Sequence, residues 1–373
     1  AGQGDAADRG LRHRRRGRGP NAPVDFPHAT QGPEIEALLD MADMLSLAQG
    51  SPLLTLAQWF ALLKPRHARP HWHRRRLLRR QTANSLHRMA LLGNDSVPES
   101  ALDELLRREK GAASRAGREP DFYSPAIRDE VLGYILGGHD TTAAVLAWGV
   151  KCMTRHQDVQ GRLRCALRAE HAAAASKGRW PAMAEVVSAS IPYLDAVMEE
   201  LLRCAAVATL IVRKATRDTQ ILGFTIPAGT EVLIPLTGPS LTEPALPIPE
   251  GLRSEACRKA KARARTAWAD NDIASFRPER WLRLQEEDNN ECNPTTPRAA
   301  EAAEQQQAPV FDPQAGPNLV FSSGPRQCFG RKQAYLQLRT TLTLLLWNFA
   351  FEPIDEALDG WDVVEQLVNL PKS

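Results

Sequence analysis

Residues 131 to 150 form a long apolar stretch within the longest helical pattern of the chain, interrupted by Asp140 near its centre. A carboxylate at a bilayer midpoint costs about 2.5–3.5 kcal/mol on insertion scales, so the stretch reads as a buried core helix rather than a membrane span. Ser124-Pro125 stands ahead of it, and proline suits a first helical turn, so one helix is expected from Ser124 to about His156. A helix of that length needs others to cover it. Helical periodicity recurs at 33–49, 54–63, 72–92, 157–175, 182–189, Ile191–Ala205 and about Gln333–Phe349. Short strands are expected at Leu210–Val212, Thr219–Leu222 and Thr230–Ile234, punctuated by Gly223 and Pro227-Ala228-Gly229. The fold class is therefore mainly α with small β-sheets.

The remaining segments are irregular. Residues 1–32, rich in Gly, Ala and Arg, are expected to be a disordered tail. Lys64–Pro70 reads as a basic turn, residues 240–275 as irregular, and residues 285–310 as a polar, mobile insertion. With 373 residues there is room for two domains or one large one. The 44–63 stretch is uncharged but broken by Gly50-Ser51-Pro52, so it does not read as a span.

Charge and cysteine content narrow the function classes. Lys plus Arg is 47 against 44 Asp plus Glu, an excess too small to suggest a nucleic-acid binder by itself. Six cysteines, none in a C-x-x-C pair, give neither a zinc ribbon nor a disulfide scaffold. His67, His71 and His73 resemble a metal cluster, but Pro70 is expected to break the helix that would align the first two. The arginines at 74–76, 79 and 80 read as a solvated face that could also rest on acidic lipid.

One cysteine is set apart by its surroundings. In Phe321-Ser322-Ser323-Gly324-Pro325-Arg326-Gln327-Cys328-Phe329-Gly330 it lies between two glycines, near an arginine, just before a helix. Unpaired N–H groups and partial positive charge at a helix start favour thiolate over thiol. Gly324 and Gly330 allow a sharp turn and close approach to a flat ligand, and Arg326 can neutralise an anion beside it. For a cysteine alone, burial in a turn would be the better explanation; the full string reverses that. A second pattern sits inside the long helix: Gly137-Gly138-His139-Asp140-Thr141-Thr142. Adjacent glycines in a helix interior each cost roughly 1 kcal/mol relative to alanine, so close approach or local distortion is expected. Thr141 can bond a carbonyl one turn back. The alternative is a loosely packed core helix with a polar patch.

These strings resemble the cysteine loop and oxygen-binding helix of the cytochrome P450 family. The resemblance implies haem, with Cys328 as the iron ligand, Arg326 on a propionate and Phe321 near the sulfur. It implies that Asp140 and Thr141 support delivery of two protons to dioxygen, while His139 packs or lines the pocket. Glu200-Leu201-Leu202-Arg203 and Phe276-Arg277-Pro278-Glu279-Arg280-Trp281 resemble the family's E-x-x-R and P-E-R segments, implying a buried network of Glu200, Arg203 and Arg280. Arg213 matches a second propionate partner; a solvated strand-end arginine is the equal alternative.

The resemblance spans about residues 33–373 as a partial domain of the family, incomplete at the N-terminus. It implies a monooxygenase that inserts one oxygen atom of O2 into a small apolar substrate. Electrons would come from an NADPH-dependent reductase docking around Arg326, Arg331 and Lys332. It also implies residence at the cytosolic face of the endoplasmic reticulum membrane, with peripheral contact and no anchor in these residues. The rival expectations are a non-catalytic remnant of the family and a basic helical module that binds nucleic acid or lipid.

Overall fold

The computed structural model describes residues 32–38, 40, 56, 60, 62–93, 97–238, 243, 247–263, 272–283, 309–316, 318–354, 360, 362–365 and 368–371. The expected tail at 1–32 and insertion at 285–310 therefore lie almost wholly outside the described residues, as does most of 44–63. The chain divides into two compact units, Ala1–Gln81 and Thr82–Ser373.

In the first unit residues 33–38 are helical and helix α1 (Pro65–Leu92) begins. The expected break at Pro70 does not occur, because the helix runs through it. Pro70 forgoes one backbone hydrogen bond near the helix start, and buried side-chain contacts outweigh that loss. His67 Nδ1 lies 2.6 Å from Asp40 Oδ1, and Arg74 donates to the Ala37 carbonyl at 3.2 Å. His71 meets Arg74 at 3.0 Å. Among the described residues no three His, Cys, Asp or Glu side chains converge as a metal site.

The second unit holds α2 (Ala101–Arg115), α3 (Pro125–Arg155), α4 (Gln157–Glu170), α5 (Ala172–Ser176), α6 (Met183–Ser188), α7 (Pro192–Ala205), α8 (Glu255–Arg263) and α9 (Arg331–Asn348). Ser100 caps α2, its hydroxyl accepting from the Asp103 N–H at 3.2 Å. Nothing in the sequence reading marked out α2, and the expected 157–175 helix is divided at His171. Part of the stretch expected to be irregular, residues 255–263, is the helix α8.

Apolar periodicity explains how α3, α4, α7 and α9 pack. Ala144, Val145, Trp148, Cys152 and Met153 of α3 meet Val159, Leu163 and Leu167 of α4. Leu194, Val197, Met198, Leu201 and Leu202 of α7 and Leu338, Leu342 and Leu346 of α9 complete this core. Burying each leucine fully stabilises the fold by about 1.5–3 kcal/mol before chain entropy is counted. Gly149 sits where three helices come close: a Cβ there would lie 3.3 Å from Leu201 and 3.7 Å from Leu342.

The long helix is not buried along its whole length, contrary to the expectation for 131–150. Thr142 to Thr154 holds its buried residues, while 125–141 is exposed or half-buried. Its packing partners bury residues of the C-terminal half and leave the glycine-bearing half only partly covered. No helix among the described residues is long and apolar enough to cross a membrane.

Among the described residues the sheets are two-stranded and antiparallel. Strand β1 (Leu210–Lys214) pairs β4 (Glu231–Pro235), with Arg213 opposite Val232. β2 (Thr219–Ile221) pairs β3 (Phe224–Ile226) through Leu222 and Gly223, both at positive φ as a tight hairpin turn requires. β5 (Leu282–Arg283) pairs β6 (Val310–Phe311), and β7 (Val363–Glu365) pairs β8 (Asn369–Pro371).

Candidate functional site

The segment from Asn318 to Gly330 leads into α9 as a folded loop. Ser322 at φ 58 and Gly324 at φ 73 turn the chain twice through the left-handed region. For a non-glycine residue that conformation costs on the order of 1 kcal/mol and persists only where the surroundings impose it. Two contacts do so here. The Ser322 N–H donates to the Leu319 carbonyl at 2.7 Å, and its hydroxyl meets Arg213 Nη2 at 3.1 Å. The Cys328 N–H closes the loop onto the Phe321 carbonyl at 2.8 Å.

The Cys328 side chain is exposed, and Gly330, which caps α9, would place a Cβ 3.7 Å from its sulfur. Arg326, Arg331 and Lys332 are exposed around it. Arg213 reaches the loop from β1 through Ser322, so its guanidinium joins those of Arg326 and Arg331 in this region.

The glycine-bearing segment of α3 lies next to the loop. The Phe329 and Tyr134 rings are 4.9 Å apart, and Tyr134 is one turn ahead of Gly137 and Gly138. Farther along, Thr142 donates to Gln337 of α9 at 3.2 Å. An added Cβ at Gly137 or Gly138 would meet nothing within 4 Å, so both glycines border open space. Thr141 donates its hydroxyl to the Gly137 carbonyl at 2.6 Å, satisfying that carbonyl a second time. Asp140 Oδ1 lies 2.7 Å from His139 Nδ1. His139 is 65% exposed, so it meets Asp140 at the surface rather than packing in the interior.

An exposed sulfur beside a bare glycine, two unobstructed helix glycines and these arginines fit a flat, anionic iron porphyrin. The donor set is right, because a single thiolate is a sufficient protein ligand for haem iron.

A buried ionic network stands behind the loop. Glu200 is fully buried and Arg203 nearly so, with Arg203 donating to both Glu200 oxygens at 2.7 and 2.9 Å. Arg280 Nε donates to Glu200 at 3.1 Å, the Arg277 N–H at 2.8 Å and Trp281 Nε1 at 2.9 Å. Arg203 and Arg280 also reach the Ser275 carbonyl, and Arg280 reaches Asp272. Asp272 and Ser275 were not singled out by the sequence, and Trp281 stood in the P-E-R string without a place in the network; only proximity to that string could have flagged them.

The neighbouring carboxylate was missed as well. Glu199, 3% exposed, accepts from Asn318 Nδ2 at 2.8 Å and from the Tyr335 hydroxyl. Burial raises its carboxyl above the ordinary range, against the lowering pull of these donors and of Arg331. Burial and Glu199 together raise the Tyr335 hydroxyl, keeping it a donor.

An exposed cysteine loop leading into a helix on a mainly helical body matches the architecture of the haem-thiolate proteins. The cytochrome P450 family model matches residues 28–250 and 240–372, and the chain belongs to that family. It is 37% identical over 353 residues to cytochrome P450 monooxygenase TRI13 of Fusarium sporotrichioides, covering 94% of this chain and 59% of the relative. It is 42% identical over 284 residues to the Hps1-dma1 cluster cytochrome P450 monooxygenase cyp3.1 of Dothistroma septosporum, covering 73% of this chain and 84% of that one. A zebra fish cytochrome P450 solved with abiraterone superposes with a TM-score of 0.57 at 20% identity, over 92% of this chain and 64% of that chain, which shows the fold. The chain thus spans 59% of the length of the first of these relatives. The family's cofactor is haem held by a cysteine thiolate.

Proposed function

We propose that this chain is the haem-carrying part of a monooxygenase that inserts one oxygen atom of O2 into a small apolar substrate. The observation that carries this reading is the apposition of the Cys328 loop and the glycine segment of α3 through Phe329 and Tyr134. When bound, haem supplies the redox-active iron at which dioxygen is reduced and split. Cys328 holds it through sulfur. The Cys328 N–H bond to the Phe321 carbonyl fixes the loop that carries the sulfur. Arg326 and Arg213 neutralise the two carboxylates of the ring. Gly137 and Gly138 admit a flat group close to the α3 backbone.

Asp140 and Thr141 manage protons. The Thr141 hydroxyl donates to the Gly137 carbonyl and has lone pairs left to accept from a water O–H. Asp140 can exchange a proton with solvent through the exposed His139. Glu200, Arg203 and Arg280 brace the framework beneath.

Electrons come from an NADPH-dependent reductase whose acidic face meets exposed Arg326, Arg331 and Lys332. The enzyme works at the cytosolic face of the endoplasmic reticulum membrane, with peripheral contact. The test is the spectrum of haem-loaded, reduced protein with carbon monoxide. A red-shifted Soret band, lost in Cys328→Ala, is expected; a band that survives Cys328→Ala overturns the ligand assignment, and a wild-type chain without one is a non-catalytic remnant.

A further inference from the structure

Helix α7 carries two adjacent buried carboxylates, and they face different segments. Glu200 meets Arg203, Arg280 and Trp281. Glu199 meets a residue on each side of the cysteine loop: Asn318 ahead of it and Tyr335 in α9 beyond it. Neither contact belongs to the network expected from the sequence.

Each partner is itself tied to the loop. The Asn318 side-chain oxygen accepts from the Val320 N–H at 3.1 Å, so its amide is locked between Glu199 and the backbone before Phe321. The Tyr335 ring lies 5.4 Å from that of Phe321, with the Arg331 guanidinium over both at 5.4 and 5.8 Å. Phe321 accepts the Cys328 N–H. The loop also contains Ser322 in the left-handed region, a conformation that needs outside restraint.

We infer that Glu199 is a positioning residue, which clips both ends of the cysteine loop through Asn318 and Tyr335 and so sets the placement of Cys328. A buried carboxylate suits this task. It accepts two hydrogen bonds in a fixed plane, and a carboxylate deprived of water holds its donors more firmly than an exposed one. The role of Cys328 toward haem rests on the function proposed above; the clip itself does not.

The test separates the two. Amide hydrogen exchange is followed in the full chain without haem for wild type, Glu199→Ala, Glu199→Gln and Tyr335→Phe. The last removes one hydroxyl, and Glu199→Gln keeps one acceptor oxygen. The Cys328 and Val320 amides are expected to exchange at least about tenfold faster in Glu199→Ala and Tyr335→Phe, the factor for one lost charge-assisted hydrogen bond. Glu199→Gln should fall between these and wild type, with the α4 amides unchanged in all. Loop exchange equal to wild type overturns the inference, as does a rise shared equally by α4, which would mean general loosening.

The same proteins are then loaded with haem, reduced and treated with carbon monoxide. Faster decay of the thiolate band in Glu199→Ala and Tyr335→Phe supports the clip. If wild type gives no such band while the loop amides respond, the clip stands and the haem reading fails. If the band is present and neither band nor amides respond, the clip fails and the haem reading stands.

Discussion

The Phe329 ring meets that of Tyr134 edge to face at 4.9 Å, and this contact docks the cysteine loop on the third helix. Aromatic pairs of this geometry are worth about 0.5–1.5 kcal/mol beyond the area they cover. Phe329 is 78% exposed, which places this pair at the lower end. A double-mutant cycle of Tyr134→Ala and Phe329→Ala, read by urea unfolding, should give a coupling of about 0.5 kcal/mol. A coupling of zero would mean that the loop is not docked there in solution.

The Glu200 network should be intolerant of single truncations. Glu200, Arg203 and Arg280 are all almost completely buried, so removing one strands the charge of the others. Arg203→Ala should cost about 3–5 kcal/mol in chemical denaturation, the range for breaking a buried ion pair. A loss under about 1 kcal/mol would contradict the buried placement.

The cysteines should differ in alkylation. Cys165, Cys257 and Cys328 are exposed and Cys152 is buried. Burial pushes the Cys204 thiol up to about 12, keeping it protonated in mildly alkaline solution. Peptide mass spectrometry after iodoacetamide should find Cys165, Cys257 and Cys328 modified and Cys152 and Cys204 intact. Haem should protect Cys328 and leave Cys165 labelled; equal labelling of Cys328 with and without haem would speak against it as the ligand.

Glu199 gives a pH dependence of definite sign. Its carboxyl is raised above its ordinary 4.5 by burial, against the lowering donors Tyr335 and Asn318 and the charge of Arg331, with Asp195 also raising it. Above that value the native state binds more protons than the unfolded one, so this group's contribution to stability falls as pH rises. The difference in unfolding free energy, wild type minus Glu199→Gln, should therefore decrease on raising the pH from 4.5. An increase would mean that the carboxylate is better stabilised in the fold than in water.

Thr141→Ala should separate chemistry from folding. It removes the bond to the Gly137 carbonyl, which that carbonyl does not need within the helical ladder. Stability should change by under about 1 kcal/mol, while product formation in the reconstituted enzyme falls about 100-fold, the scale of a lost proton-transfer group. Unchanged turnover would remove Thr141 from the proposed chemistry.

Much of this was legible because the signals are local. Ser124-Pro125 opened α3, and Gly324 and Gly330 bracketed Cys328. The Glu200–Arg203 spacing put both side chains on one helix face. Glu199 was invisible because an adjacent glutamate in a helix has no distinguishing local feature; its partners Asn318 and Tyr335 are over a hundred residues away. Pro70 misled because a local rule for helix breaking yielded to tertiary contacts made by the same helix.

By itself, then, the amino-acid order determined which residues could turn, cap and pair with near neighbours, since those preferences arise from backbone sterics and helical spacing. Only the tertiary structure decided which half of α3 is buried, that Arg213 meets Ser322, and that two neighbouring carboxylates serve two separate segments. Such choices depend on which distant side chains share the same desolvated volume, and no short stretch of sequence records that.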